Sequence, residues 1–397
     1  MYEPFPGNYV WNLSVNICLA MGGAIGEINS ANERVRKIAT QGDDSGTEAF
    51  FAAWVEMARR LVELGTDAER TGHRRSAAEK FCRALAYYIT AERMQSRHYG
   101  PRQEAYRTLL DTMARAIAVG DLNCERVEIP YGGTSYPALF LKGHGSVKPP
   151  CMIFCNGLDS VKEMIYLAIR DEFAVRGISC LLVDQPGAGE ALRLRGLHAI
   201  PDSERWASAA VDYLETRGDV DHGRIGMMGW SLGGYYAPRA VAYEARFKLC
   251  VAWGGNHNWG EVQRRRLARE GDRPVPHYWD HVTWVWGKDS LDDFMAFAPQ
   301  VSLVGHLKNI RVPFLIVHGI NDRQISTAYA QQSYDEAINS SRRELKYITD
   351  REGGIEHISA DNMEPARSYI GDWIADTFET SSGRWARDGN VWVPRGP

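Results

Sequence analysis

Residues 223–240, GRIGMMGWSLGGYYAPRA, set Ser231 between glycines two positions before and two after it, directly behind the apolar run 225–228. That run reads as a short buried strand, and a turn into a helix follows it at once. In a G-x-S-x-G turn of this kind, side chains at 229 and 233 would strike neighbouring backbone, and the serine hydroxyl is lifted above the end of a sheet. The chemistry such a serine can do is attack on a carbonyl carbon. The N–H of Leu232 would point at the oxygen on which negative charge develops.

A serine hydroxyl is a weak nucleophile at neutral pH and needs a base, which in turn needs an orienting carboxylate. The apolar run 312–317 leads into HGINDRQIS and puts Asp322 at a strand's carboxyl end. The run 344–348 leads into DREGGIEHIS and puts His357 in a glycine-containing loop before the last helix. The chain order Ser, Asp, His is the one that accompanies this elbow. Asp350 and Glu356 are fallback carboxylates, but neither follows an apolar strand as directly as Asp322. A second N–H for the oxyanion is expected from Leu158, where Asn156-Gly157 turns the chain in CMIFCNGLDS.

Other patterns point away from metals and cofactors. His277 and His281 lie four apart beside Asp280, but there is no H-E-x-x-H and the neighbours are bulky aromatics, so no metal site is expected. Gly187 and Gly189 in LLVDQPGAGE lack the third glycine of a dinucleotide fingerprint; that loop is expected to support the elbow, and no cofactor is expected. Cys151 and Cys155 share one face of a strand, a core pattern.

The elements that must position these residues fall into two parts, as a chain of 397 residues exceeds one core. From about 47 to 119 apolar residues recur at threes and fours, with Gly72 and Gly100-Pro101 as breaks. From Glu125 the pattern changes to a hairpin around Gly132-Gly133. Strands are then expected at 151–155, 178–183, 225–229, 248–253, 312–317 and 344–348, alternating with helices. That alternation predicts an α/β fold with a mainly parallel sheet covered on both faces. The expected domains are 1–121, helical and contributing to the substrate cleft, and 122–380, carrying the sheet, with a tail at 381–397.

Residues 256–308 interrupt the alternation with Trp259, Trp279, Trp284 and Trp286 beside Tyr278, His257, His277 and His281. This insertion is expected to form a cap, most of its aromatics packing it down and a few facing substrate. The net charge of −4 gives no drive toward nucleic acid or anionic membrane, and 13–26 is too short and interrupted to span a bilayer. Seven scattered cysteines, an odd number, fit buried thiols in a reducing compartment, so the expectation is a cytoplasmic protein.

The segments GWSLGGYYAPRA, NGLDS, DQPGAGE, AWGG, HGINDRQIS and EHIS, with AAEKFCRALAYY in the helical part, resemble the α/β-hydrolases that cleave carbon–carbon bonds. That group includes 2,6-dihydroxypseudooxynicotine hydrolase and fungal hydrolases that shorten polyketide chains of naphthopyrone pigments. The resemblance runs from about 45 to 378. It implies an α/β-hydrolase fold whose N-terminal helices close over the triad, and a carboxylate beyond the elbow that helps hold substrate. Glu261, after AWGGNHNWG, is the nearest by position, although the local sequence departs from the pattern; Trp253, Trp259 and Tyr235 are further candidate substrate contacts. The implied reaction is a retro-Claisen-type hydrolysis of a ketone in an aromatic or polyketide-like small molecule, with esterase or lactonase action as the alternative. A binding module without catalysis is disfavoured by the intact Ser231, Asp322 and His357. Helical N-terminal regions of this kind often pair chains, so a homodimer is the expected assembly.

Overall fold

The computed structural model describes residues 1–39, 46–269 and 276–382, with side chains to 379, and the backbone of 385–388 and 391–394. The chain opens with helices α1 (Tyr9–Ala20), α2 (Ile25–Glu33), α3 (Gly46–Arg70), α4 (Arg74–Arg93) and α5 (Gly100–Gly120). The Asn8 side chain caps α1 by accepting from the Trp11 N–H, and Pro101 sits in the first turn of α5, where its missing N–H costs nothing. Residues 10–18 of α1 are buried without interruption. A helix enclosed on every side has no polar stripe, and this is why periodicity gave no sign of it.

The sheet begins with β1 (Glu125–Tyr131) and β2 (Thr134–Leu141), an antiparallel hairpin closed by Gly132-Gly133. It continues with β3 (Cys151–Cys155), α6 (Lys162–Ile169), β4 (Ser179–Val183), α7 (Gly189–Arg193), α8 (Glu204–Glu215), β5 (Ile225–Trp230), α9 (Gly233–Val241) and β6 (Cys250–Trp253). The insertion supplies α10 (Trp259–Ala268), α11 (Tyr278–Val285) and α12 (Leu291–Phe297) before β7 (Phe314–Gly319), α13 (Thr327–Glu336), β8 (Arg343–Ile348) and α14 (Glu364–Ser382). The strand order is β1-β2-β4-β3-β5-β6-β7-β8, with β3 to β8 parallel to one another. The tail forms a separate antiparallel pair, β9 (Trp385–Asp388) with β10 (Val391–Pro394).

Alternation along each strand separates two cores. Met152, Phe154, Met228, Trp230, Val251 and Trp253 face the side covered by the N-terminal helices, α6 and α14. Cys151, Ile153, Cys155, Met227, Cys250 and Ala252 face α8, α9 and the cap. The N-terminal helices pack on one another through Trp11, Phe50, Trp54 and Tyr87, and this packing is continuous with the core under the sheet. All seven cysteines are buried and unbridged. Among the described residues, no helix is long and apolar enough to cross a membrane.

Candidate active site

Gly229 ends the approach to the elbow, and a side-chain carbon there would stand 2.3 Å from the Gly233 carbonyl oxygen; one at Gly233 would stand 2.7 Å from the Cys155 carbonyl oxygen. Those two glycines let β5 turn straight into α9 across the end of β3. The turn forces Ser231 to φ 54°, a left-handed conformation a serine holds only under constraint, and its N–H is fixed by the Trp253 carbonyl at 2.9 Å. The hydroxyl lies 2.9 Å from Nε2 of His357, and Nδ1 of His357 lies 2.7 Å from Oδ2 of Asp322.

Asp322 lies in the loop after β7, and its position is over-determined. Its Oδ1 accepts the N–H groups of Gln324 and Ile325, each at 2.8 Å, while His318 Nε2 approaches Oδ2 at 3.3 Å. Burial alone would raise this carboxyl, but the facing His357 and the bonds from His318 and His357 outweigh it and hold the group well below the usual carboxylate range. Glu356 is taken by Asn321 and Arg323, and Asp350 is exposed, so neither fallback carboxylate reaches His357.

The loop after β3 is clamped by its neighbour after β4. Gln185 exchanges two hydrogen bonds with the Asn156 backbone, both at 3.0 Å, and Asn156 Nδ2 donates to Val183 O and Asp184 Oδ1. Ser160 Oγ receives the Gly157 N–H at 2.8 Å. Below this, the buried Lys162 ammonium meets Glu163, Asp184 and Glu190 within 3.2 Å. So held, the loop leaves the Leu158 N–H, like that of Leu232, without a protein acceptor among the described residues. Leu158 and Leu232 border the same cavity as Ser231 and His357.

That cavity holds about 90 Å³. Ligand pockets are typically roughly 300–1,000 Å³, so a substrate of ordinary size must extend beyond it. A wider depression of about 840 Å³ adjoins it and shares Val10, Val262, Arg266 and Gln324 with it. The roof comes from α1 and the end of α4, through Val10, Leu13, Ser14, Arg93 and Gln95, and from the cap, through Trp259, Tyr278 and His281. Arg93 ties this roof to the floor by an ion pair with Asp159 at 2.7 Å. His281 Nε2 donates to the Leu158 carbonyl at 3.0 Å, and burial, helped by Arg102 and Arg193, pushes its imidazole down to about 4.

Three of the expected substrate contacts lie elsewhere. Tyr235 is on the face of α9 that packs into the back core, with its hydroxyl donating to Pro201 O at 3.0 Å. Trp253 is buried under the sheet against Trp230, ring centres 6.1 Å apart. The Glu261 carboxylate is taken by Arg265 one turn on and by the Tyr329 hydroxyl. Trp259 does border the cavity, whereas Trp279 packs against Tyr278 and Phe294 in the cap, Trp284 against Arg102 of α5 and Trp286 against Tyr236 of α9. His277, Asp280 and His281 are drawn apart, to Thr47, Arg97 and Leu158 respectively. Among the described residues, no cluster of three or more histidine, cysteine, aspartate or glutamate side chains could hold a metal. Sequence reasoning missed Arg93, Gln95 and Asn256. The position of Asn256 at the carboxyl end of β6 was a signal for it.

The family model described as esterase FrsA-like matches residues 54–258, and that of the prolyl oligopeptidase family matches 207–379. Hydrolase acrC of Aspergillus aculeatus is 30% identical over 68% of this chain and 73% of its own. The 2,6-dihydropseudooxynicotine hydrolase of Paenarthrobacter nicotinovorans is 26% identical over 69% of this chain and 71% of its own. The crystal structure of 2,6-dihydroxy-pseudo-oxynicotine hydrolase superposes with a TM-score of 0.75 over 92% of this chain and 96% of that one, at 21% identity. With a family model spanning more than half of its length and a relative at 30% identity, the chain is a hydrolase of the α/β-hydrolase superfamily and belongs to its FrsA-like esterase family.

Proposed function

We propose that this protein is a serine hydrolase that cleaves a carbon–carbon bond beside a ketone in an aromatic or polyketide-like small molecule. The observation that carries the serine-hydrolase part of the reading is the unbroken line Ser231, His357, Asp322, with contacts of 2.9 and 2.7 Å, opening on a roofed cavity. The Ser231 oxygen bonds to the ketone carbon while its proton passes to His357 Nε2, and the carbonyl electron pair moves to an oxyanion held by the N–H groups of Leu158 and Leu232. Collapse of that adduct breaks the carbon–carbon bond, and its electron pair leaves on the departing carbon, which His357 protonates. Water, deprotonated by the same imidazole, then releases the acyl group as a carboxylic acid and restores Ser231.

The departing carbon can accept the pair only if a carbonyl or an electron-poor ring delocalises it. The relatives support this substrate class, two of them being hydrolases of 2,6-dihydropseudooxynicotine and of 20-hydroxy-prefusarin. The FrsA-like family description favours a second reading, ester or lactone cleavage by the same triad. The test is turnover of wild type and Ser231→Ala on β-diketones and hydroxyaryl ketones beside matched aryl esters and lactones, with products identified by mass. Carbon–carbon products at rates rivalling the best ester support the first reading; ester or lactone cleavage alone selects the second. The proposal includes a cytoplasmic homodimer needing no metal or cofactor; the buried free thiols support the compartment and the helical N-terminal part the assembly, which light scattering of the purified protein checks.

A further inference from the structure

Asn256 follows Gly254-Gly255 at the carboxyl end of β6, three residues after the Trp253 carbonyl that fixes the Ser231 N–H. Its placement is tight, because Gly255 lies against the start of α9; a side-chain carbon on Gly234 would stand 2.5 Å from Gly255 Cα. The Asn256 side chain is 1% exposed and borders the cavity together with Ser231, Leu232 and His357. Among the described residues, neither its amide nitrogen nor its amide oxygen has a hydrogen-bond partner. Nearly every buried polar atom in a folded protein is satisfied, so a buried amide with neither end bonded, in a residue that lines a reaction cavity, stands ready for a partner that arrives with the ligand. Two further donors on the roof are also open, Nε2 of Gln95 and Nε of Arg93.

We infer that Asn256 is a substrate-contacting residue that recognises two neighbouring oxygens of the substrate, one an acceptor and one a hydroxyl donor. Its Nδ2–H donates to the acceptor oxygen and its Oδ1 accepts from the hydroxyl. An enolised 1,3-dicarbonyl or a 2-hydroxyaryl ketone presents that pair in one plane. The inference rests on the carbon–carbon cleavage reading for one step only. Cleavage needs the keto tautomer, in which the hydroxyl proton has moved to the carbon between the two oxygen-bearing carbons; Ser231 attacks one carbonyl, the departing pair delocalises onto the oxygen of the other, and the Asn256 Nδ2–H meets the charge that collects there. The open donors of Gln95 and Arg93 make the opposite wall suited to further oxygens of the same molecule.

The experiment compares 2-hydroxyaryl with 2-methoxyaryl substrates, as ketones and as the corresponding aryl acetates, in wild type, Asn256→Leu and Asn256→Asp, with melting temperatures as the check on folding. Wild type is expected to favour the hydroxyl member at least tenfold in kcat/KM. Asn256→Leu, which removes donor and acceptor, is expected to bring that ratio to about one. Asn256→Asp keeps the acceptor and the volume, so it is expected to retain the hydroxyl preference while kcat falls for both ketones; it supplies the readout if the leucine variant does not fold. An unchanged ratio in Asn256→Leu overturns the inference, and so does an equal loss on every substrate, which a packing role would give. If only the acetates turn over and Asn256→Leu still flattens their ratio, the carbon–carbon reading fails and the Asn256 assignment stands.

Discussion

The floor and the roof of the cavity differ in how completely their polar groups are matched. On the floor, the side chains of Asn156, Asp184, Gln185 and Asp322 each bond to a defined partner, and among the described residues the groups left open beside the reacting atoms are the backbone N–H donors where an oxyanion would form and the amide of Asn256. The roof rests on the apolar packing of α1 and α4 against the sheet and has a few polar ties: Arg93 to Asp159, His281 to Leu158, and Arg193 of α7 with Arg102 on the buried Glu92 of α4. It leaves Gln95 Nε2 and Arg93 Nε open. A fully matched network fixes geometry, which acyl transfer needs at the reacting atoms. The roof rests more on apolar packing, which leaves its few polar groups available to a substrate that reaches beyond the 90 Å³ cavity.

The comparison breaks most sharply on the floor. Ser231→Ala is expected to lower kcat on the order of 10⁶-fold, with KM little changed, measured on whichever substrate the wild type turns over fastest. Asp322→Asn comes next, with a loss of about 10⁴-fold. Its amide oxygen can still accept from Gln324 and Ile325, so the loop is kept, while its nitrogen faces His357 Nδ1 and selects the wrong tautomer. The melting temperature should move by only a few degrees. Near-normal turnover would transfer the orienting role to another carboxylate, despite Glu356 being bound to Arg323.

On the roof the expected loss is in stability. Burial alone would raise the Glu92 carboxyl, but Arg102 and Arg193 bring it down to about 2. Glu92→Gln removes the charge and leaves two buried guanidinium groups facing an amide, at a cost of about 3–5 kcal/mol. Denaturant unfolding would read this, and KM should rise more than kcat falls because the roof positions substrate. Because the folded carboxyl titrates below the unfolded one, its contribution is fully present above about pH 4.3 and fades as pH falls toward 2. An unfolding midpoint unchanged from wild type would mean that the roof is not anchored through Glu92.

Legibility in the sequence follows the same division. Each floor element announces itself locally: an apolar strand, a glycine that a turn requires, and one reactive residue at the strand's end, as with Trp230–Ser231 and Gly319–Asp322. The roof is assembled from residues far apart in the chain. Nothing around Ser14 or Arg93 indicates that α1 and α4 converge over Ser231, because α1 is buried all round and carries no period. Its buried Asn12 and Asn16 look like surface residues until their bonds to the backbone of Phe5 and Tyr2 are seen. Glu261, Tyr235 and Trp253 were misplaced for a related reason. Proximity in sequence to the elbow does not determine which face of a helix or strand a side chain occupies.

The smallest expected effect tests whether the roof is closed in solution. His281 is held neutral by burial, titrating at about 4 when folded against about 6.5 when unfolded. As pH falls from 6.5 to 4 the unfolded chain takes up a proton that the folded one refuses, so this one group lowers stability by up to ~1.4 kcal/mol per pH unit; above 6.5 it contributes no slope. A glutamine at 281 can still donate to the Leu158 carbonyl but does not titrate. Denaturation of wild type and His281→Gln across that range should therefore show a shallower slope in the variant, while other titrating groups cancel between the two. Equal slopes would mean that His281 is solvated in the folded protein. The roof would then stand open, and the contrast between a fixed floor and a closing roof would reduce to a single open cleft.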